Sequence, residues 1–223
     1  MGSAFGAVLP LAVGIAISPM PIIAAILMLL SRRARSTSLA FLLGWVFGIV
    51  IVVVIFTLLS AILPATNSSA QRPIVGVVQL VLGILLLLLA VRQWRARPKR
   101  GATAKLPQWM GAIDSMTPTR GFVLAFILSG PNPKNLLLGV SAGVAIGAAG
   151  LSAWRSAIVI IVFVIVACCS VAAPVVAYLV AADRMRGPLD GLRDWLVNNN
   201  ATIMAVLLLV IGVVVIAKGI QQF

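Results

Sequence analysis

The residues best placed to do chemistry are few and sit at two points of the chain. Ser18-Pro19-Met20-Pro21 interrupts one apolar run, and Gly130-Pro131-Asn132-Pro133-Lys134-Asn135 interrupts another. Proline has no amide hydrogen and its ring displaces the carbonyl four residues earlier. Each Pro-x-Pro pair is therefore expected to free two carbonyls, those of Ile15 and Ile17 in the first run and of Ile127 and Ser129 in the second. Met20 and Asn132 each precede a proline and are expected to leave helical angles. Asn132 and Asn135 add amides that donate and accept. Lys134 is the one charge deep in an apolar run, a placement that costs at least about 2.5 kcal/mol on insertion scales. It would hold an anionic headgroup or serve as an amine that gives up its proton. A lysine simply bonded to the broken-helix carbonyls is the plainer alternative. Asp114 would approach Lys134 if the stretch from Lys105 to Met116 dips into the bilayer; if not, it is a solvated loop acid, which the pattern favours.

The remaining inventory excludes much. There is no His, no Glu and only four Asp, so the usual acids, bases and metal ligands are nearly absent. Cys168 and Cys169 are adjacent in an apolar run, where neighbouring helix positions point in different directions and do not pair readily. No nucleotide-binding loop is present. An enzyme is not expected, nor is a metal or cofactor, and any transport must draw on a gradient or on a partner's energy.

The elements that position these residues are membrane helices. The 223-residue chain is 62% hydrophobic and 9% charged, with a mean hydropathy of +1.17. Its apolar runs are continuous and of roughly 20 residues or more, long enough to cross as helices and unlike the alternation of a barrel strand. They lie near 5 to 30, 39 to 63, 73 to 92, 119 to 147, 153 to 181 and 201 to 219. The start, without Lys or Arg before its apolar run, reads as a first span and not as a signal peptide.

Although the net charge is +13, the cations lie in short connections between spans, so nucleic acid is not the expected partner. Thirteen of them fall on one side: Arg32, Arg33 and Arg35, then Arg92 to Arg120, then Arg184, Arg186 and Arg193. Arg72, Arg155 and Lys218 lie opposite. That bias puts the thirteen in the cytoplasm and both termini outside.

The longest polar connection divides the chain into a first three-helix repeat (1–98), a basic cytoplasmic or interfacial linker (99–118) and a second three-helix repeat (119–223). Three is odd, so the halves are expected in opposite orientations, giving an all-α integral membrane protein with six transmembrane helices as two inverted repeats. Its first and fourth helices are broken at corresponding positions, a pointer to a transporter's binding site. Exposed backbone at mid-depth is tolerated only against protein or a polar cavity, so the two breaks are expected to face each other across a shared site.

Secondary features complete the reading. Met185, Leu189, Leu192 and Leu196 have helical spacing with charges interleaved, so 183–197 reads as a short surface helix. Gly44-x3-Gly48 and Gly139-x3-Gly143-x3-Gly147 allow close helix approach, either inside one chain or in a homodimer. Trp45, Trp94 and Trp154 fall near expected interfaces. The cations from Arg92 to Lys105 would attract anionic lipids, but they are also needed to set topology.

With these residues in view, the chain resembles the lysine exporter superfamily. Within it, the likeness is to the mycobacterial-type peptidoglycolipid addressing proteins, called GAP proteins, and their sulfolipid-addressing relatives. The likeness runs along nearly the whole chain. It is strongest in Ile17-Ser18-Pro19-Met20-Pro21-Ile22-Ile23, in Ala40-Phe41-Leu42-Leu43-Gly44-Trp45 and in Asn132-Pro133-Lys134-Asn135-Leu136. The resemblance implies a six-span exporter-like fold that helps carry an envelope glycolipid across the cytoplasmic membrane, beside lipid-export machinery. The alternative within the superfamily is an exporter of small metabolites such as amino acids. A cation-exporting site would call for acidic or thiolate ligands, and the runs offer no acid. Lys134 points instead to a phosphate, a sulfate or a carboxylate, groups found on lipids and amino acids alike.

Overall fold

A computed structural model describes the backbone of residues 1–31, 33–62, 71–97 and 116–221. Asp114 and nearly all of the 99–118 linker lie outside the described residues. Seven helices are present among those described: α1 (Gly2–Ala16), α2 (Pro19–Leu29), α3 (Ala34–Ile62), α4 (Gln71–Arg95), α5 (Pro118–Ser129), α6 (Pro133–Gly147) and α7 (Ala153–Ile220). α7 contains one non-helical residue, Ala181 (φ −143°, ψ 55°), which separates a first arm, Ala153–Ala182, from a second, Gly187–Ile220.

Three helical segments among the described residues are long and apolar enough to cross a membrane: Ala34–Ala61 of α3 and the two arms of α7. α1 and α2 make a fourth when taken as one span bent by 50°. The chain thus has membrane-protein character. Its surface carries rows of large apolar side chains along the long helices, such as Val77, Val81, Ile84, Leu85, Leu88 and Val91 on α4, which an aqueous solvent would not favour but lipid accommodates.

The glycine rows are used inside the chain. A side chain at Gly44 would strike the Phe122 carbonyl, and one at Gly48 would strike Ser129, so α3 lies directly on α5. Farther along α3, Gly139 meets Val52, Gly143 meets Val53 and Phe56, and Gly147 meets Thr57 and Ser60. Both numberings rise together, so α5 and α6 run beside α3 in the same direction. Phe47 packs between Phe122 and Phe126, with centroids 6.1 Å from each, and Ser60 Oγ donates to Val144 O at 3.3 Å.

A second seam joins α4 to the end of α7. Gly76 and Leu80 lie at Gly219, Gly83 at Gly212 and Ile216, and Leu87 at Gly212. Here one numbering falls as the other rises, so the two helices are antiparallel. α1 lies across the same arm, with Gly14 at Ile211 and Lys218 Nζ donating to Ala7 O at 3.4 Å.

Several expectations need correction. The 183–197 stretch is not a separate surface helix: from Gly187 it is the start of the 34-residue second arm. Leu189 and Leu196 are buried because that arm packs on the core from its first turns. Trp45 is fully buried in α3 and not in an interfacial belt, whereas Trp94 and Trp154 are exposed. Met20, expected to leave helical angles, is helical in the first turn of α2. At that position the amide missing from Pro21 would have had no helical acceptor in any case.

Candidate functional site

α1 ends because the chain turns just before Pro19. Ile17 (φ −80°, ψ 51°) is the centre of an inverse γ-turn, in which the Ser18 amide donates to Ala16 O at 2.8 Å. In a continuing helix that amide would have gone to Gly14, four residues back. The Gly14 carbonyl is thereby released, and it accepts from Lys134 Nζ at 2.8 Å. Ser170 of the first α7 arm donates to the Ala16 carbonyl. The freed end of α1 is thus closed by side chains from α6 and α7.

The second break follows the same logic. α5 ends at Ser129, and the Gly130 amide still donates to Phe126 O at 2.9 Å. Asn132 leaves helical angles (φ −59°, ψ 121°), as its place before Pro133 favours, and caps α6 by accepting from the Lys134 amide at 3.1 Å. Leu128, four residues before Asn132, receives the Asn135 side-chain amide at 3.0 Å. The Asn135 Oδ1 is buried without a partner among the described residues.

This geometry shifts the register between the two breaks. Sequence alone pairs Pro19-Met20-Pro21 with Pro131-Asn132-Pro133. In the structure Pro19 opens α2 and Pro133 opens α6, so Ser18 matches Asn132 and Met20 matches Lys134. Pro21 sits inside the first turn of α2, whereas Pro131 lies in the gap after α5.

Charge placement follows from the helix ends. Lys134 is in the first turn of α6, where the helix dipole disfavours a cation, and its side chain reaches to the C-terminal end of α1, where the dipole favours one. Lys134, Asn135 and Ser18 are only 4%, 2% and 4% exposed. Gly48, near the middle of α3, touches Gly130, so the break lies at mid-length of that helix.

The structure therefore brings Lys134 to the end of α1, next to the gap before Pro19, and Asn135 to the end of α5. Gly14, Ser170 and the Leu128 carbonyl were not singled out by sequence. Gly14 was findable, standing four residues before the residue that precedes Pro19; Ser170 carried no signal beyond being polar in an apolar run. Among the described residues no group of three or more His, Cys, Asp or Glu could hold a metal.

The family model described as Sap, sulfolipid-1-addressing protein, matches residues 8–221, nearly the whole chain. The chain belongs to this family. The match to the Sap family takes in both breaks and every helix from the second turn of α1 to the end of α7. Comparison with curated proteins and with solved structures gave no match.

Proposed function

We propose that this protein helps deliver an anionic envelope glycolipid of peptidoglycolipid or sulfolipid type across the cytoplasmic membrane, through a mid-depth site at its two breaks. The observation that carries this reading is the buried Lys134 Nζ, seated on Gly14 O across the two breaks. A nitrogen held by one carbonyl has further donors to offer. The N-terminal ends of α2 and α6, which favour anions, both begin at the gaps. The Sap family's name points to a sulfolipid, and a buried lysine suits an anionic group of that kind. Site residues in this reading are Pro19, Met20, Pro21, Pro131, Asn132, Pro133, Lys134 and Asn135, with Asp114 joining them if its stretch reaches the site.

The packing supports six spans in two inverted repeats, and the sequence resemblance supports the lysine exporter superfamily. α5 and α6 together accompany α3 from Thr37 to Ser60, so if α3 crosses then the broken pair does too. α4, with 25 residues and about 37 Å of helix, is long enough to be a span. Equivalent helices of inverted halves must run oppositely, and α4 is antiparallel to the second α7 arm. Each half's broken helix packs on the other half's long helices. In this reading both termini are outside and the protein is not an enzyme. It takes energy from a gradient or from lipid-export machinery, and a homodimer would need a face other than the glycine rows.

The test compares surface-extractable with total glycolipid in cells lacking the protein, complemented with wild type or with Lys134→Met. A glycolipid that is made normally, is missing from the surface, and is restored by wild type alone is the expected result. Unchanged surface lipid would transfer the role to small-metabolite export.

A further inference from the structure

The two breaks differ in their surroundings. Ser18, Pro19 and Pro21 are buried, enclosed by packing of α1 and α2 on α7. Pro131 and Pro133 are exposed, and Asn132 is half-buried. The second break thus opens on the molecular surface at mid-length of α3, one residue from the buried Lys134.

At that surface the backbone has an acceptor to spare. The helical donor for Ile127, which is exposed, would come from position 131, and that is proline, which has none; Ser129, whose donor would be Pro133, is buried. A bare carbonyl in hydrocarbon costs several kcal/mol, so polar backbone at this depth calls for a donor. Beside it runs an apolar strip of exposed side chains: Leu43, Phe47, Val123 and Ile127, 63%, 51%, 47% and 51% exposed. A carbonyl acceptor next to an apolar strip matches a molecule with hydroxyls at one end and acyl chains at the other.

We infer that the α5–α6 break is the side opening through which the cargo headgroup reaches Lys134. A sugar hydroxyl donates to the Ile127 carbonyl, and the acyl chains stay outside on the Leu43 to Ile127 strip. This deepens the delivery role proposed above and rests on it. The occupant is a diacyl glycoside; a second copy of this chain on the same strip is the competing outcome.

The test uses the full-length protein in phosphatidylcholine vesicles, carrying a photoreactive phenylalanine in place of Ile127, or in place of Ile165 at mid-span of the first α7 arm as the control. Vesicles contain either a tritiated diacyl glycoside or the matching tritiated diacylglycerol. At position 127 the glycoside is expected to be captured about fivefold more than the diacylglycerol, the ratio that roughly one net hydrogen bond supplies. At position 165 the two are expected to be captured equally. Pro131→Ala restores an amide for the Ile127 carbonyl and is expected to bring the ratio at 127 towards one. Equal capture of both lipids at 127 would overturn the inference, as would a dominant cross-link to a second copy of the chain. Either result, with Lys134-dependent surface delivery intact in cells, removes the side opening and leaves the delivery role standing; unchanged surface glycolipid in cells lacking the protein removes the delivery role itself.

Discussion

Lys134 Nζ lies 2.8 Å from the carbonyl oxygen of Gly14, joining residues 120 positions apart. The bond exists because the γ-turn at Ile17 diverts the Ser18 amide to Ala16 and leaves Gly14 without its helical donor. Gly14 also packs closely: a side chain there would meet the end methyls of Ile211 and, at 3.1 Å, of Leu138, which would have to turn aside.

Lys134→Met removes the donor and leaves a buried carbonyl bare, at a cost of about 1–3 kcal/mol. The buried ammonium that Met removes costs a similar amount, at least about 2.5 kcal/mol, so the variant is expected to insert in the membrane with little change in unfolding temperature in detergent, and to deliver no more surface glycolipid than cells without the protein. Normal delivery by a stably inserted Lys134→Met would contradict the role given to this residue.

Gly44→Ala is expected to be costlier than an ordinary surface change, because the added methyl meets the Phe122 backbone, which cannot swing aside. Overpacking of this kind costs about 1–3 kcal/mol. Gly2→Ala, with open space around it, is the control and should leave thermal stability in detergent unchanged.

The two asparagines of the second break should separate. Asn135→Ala strips the donor from Leu128 O inside the protein and is expected to cost about 1–3 kcal/mol. Asn132→Ala removes an N-cap at the partly exposed end of α6, expected at about 1 kcal/mol. Equal loss of unfolding temperature in the two variants would argue against the bonding described.

Orientation can be read with single cysteines in a protein whose Cys168 and Cys169 are changed to alanine. Ser152 and Ser36 are exposed at the starts of α7 and α3. A membrane-impermeant thiol reagent on intact cells is expected to label Ser152→Cys and spare Ser36→Cys; the opposite pattern would invert the proposed topology. Before that replacement, Cys169, exposed, should react with a permeant reagent faster than Cys168, which is buried.

Much of the helical layout was legible because apolar runs and prolines act locally. The interruption after Ile17 and the one before Pro133 follow from missing amides, and the family resemblance rested on the same residues. The 183–197 segment was misread because its charges have the spacing of an isolated amphipathic helix, whereas burial of Leu189 and Leu196 depends on which neighbours the arm meets. Met20 was misread for a related reason: the rule for residues before proline is a local preference, and the first turn of α2 overrides it.

By itself the sequence determined that the chain is helical and suited to lipid, that two of its apolar runs are interrupted by prolines, and that one lysine lies at depth. These depend on residue type and spacing alone. Tertiary structure decided that Lys134 meets Gly14, that Pro19 corresponds to Pro133, that the glycine rows join helices of the same chain, and that one break is buried while the other is exposed. A carbonyl released by a turn acquires its partner from whatever the fold brings alongside, and that partner can be 120 residues away.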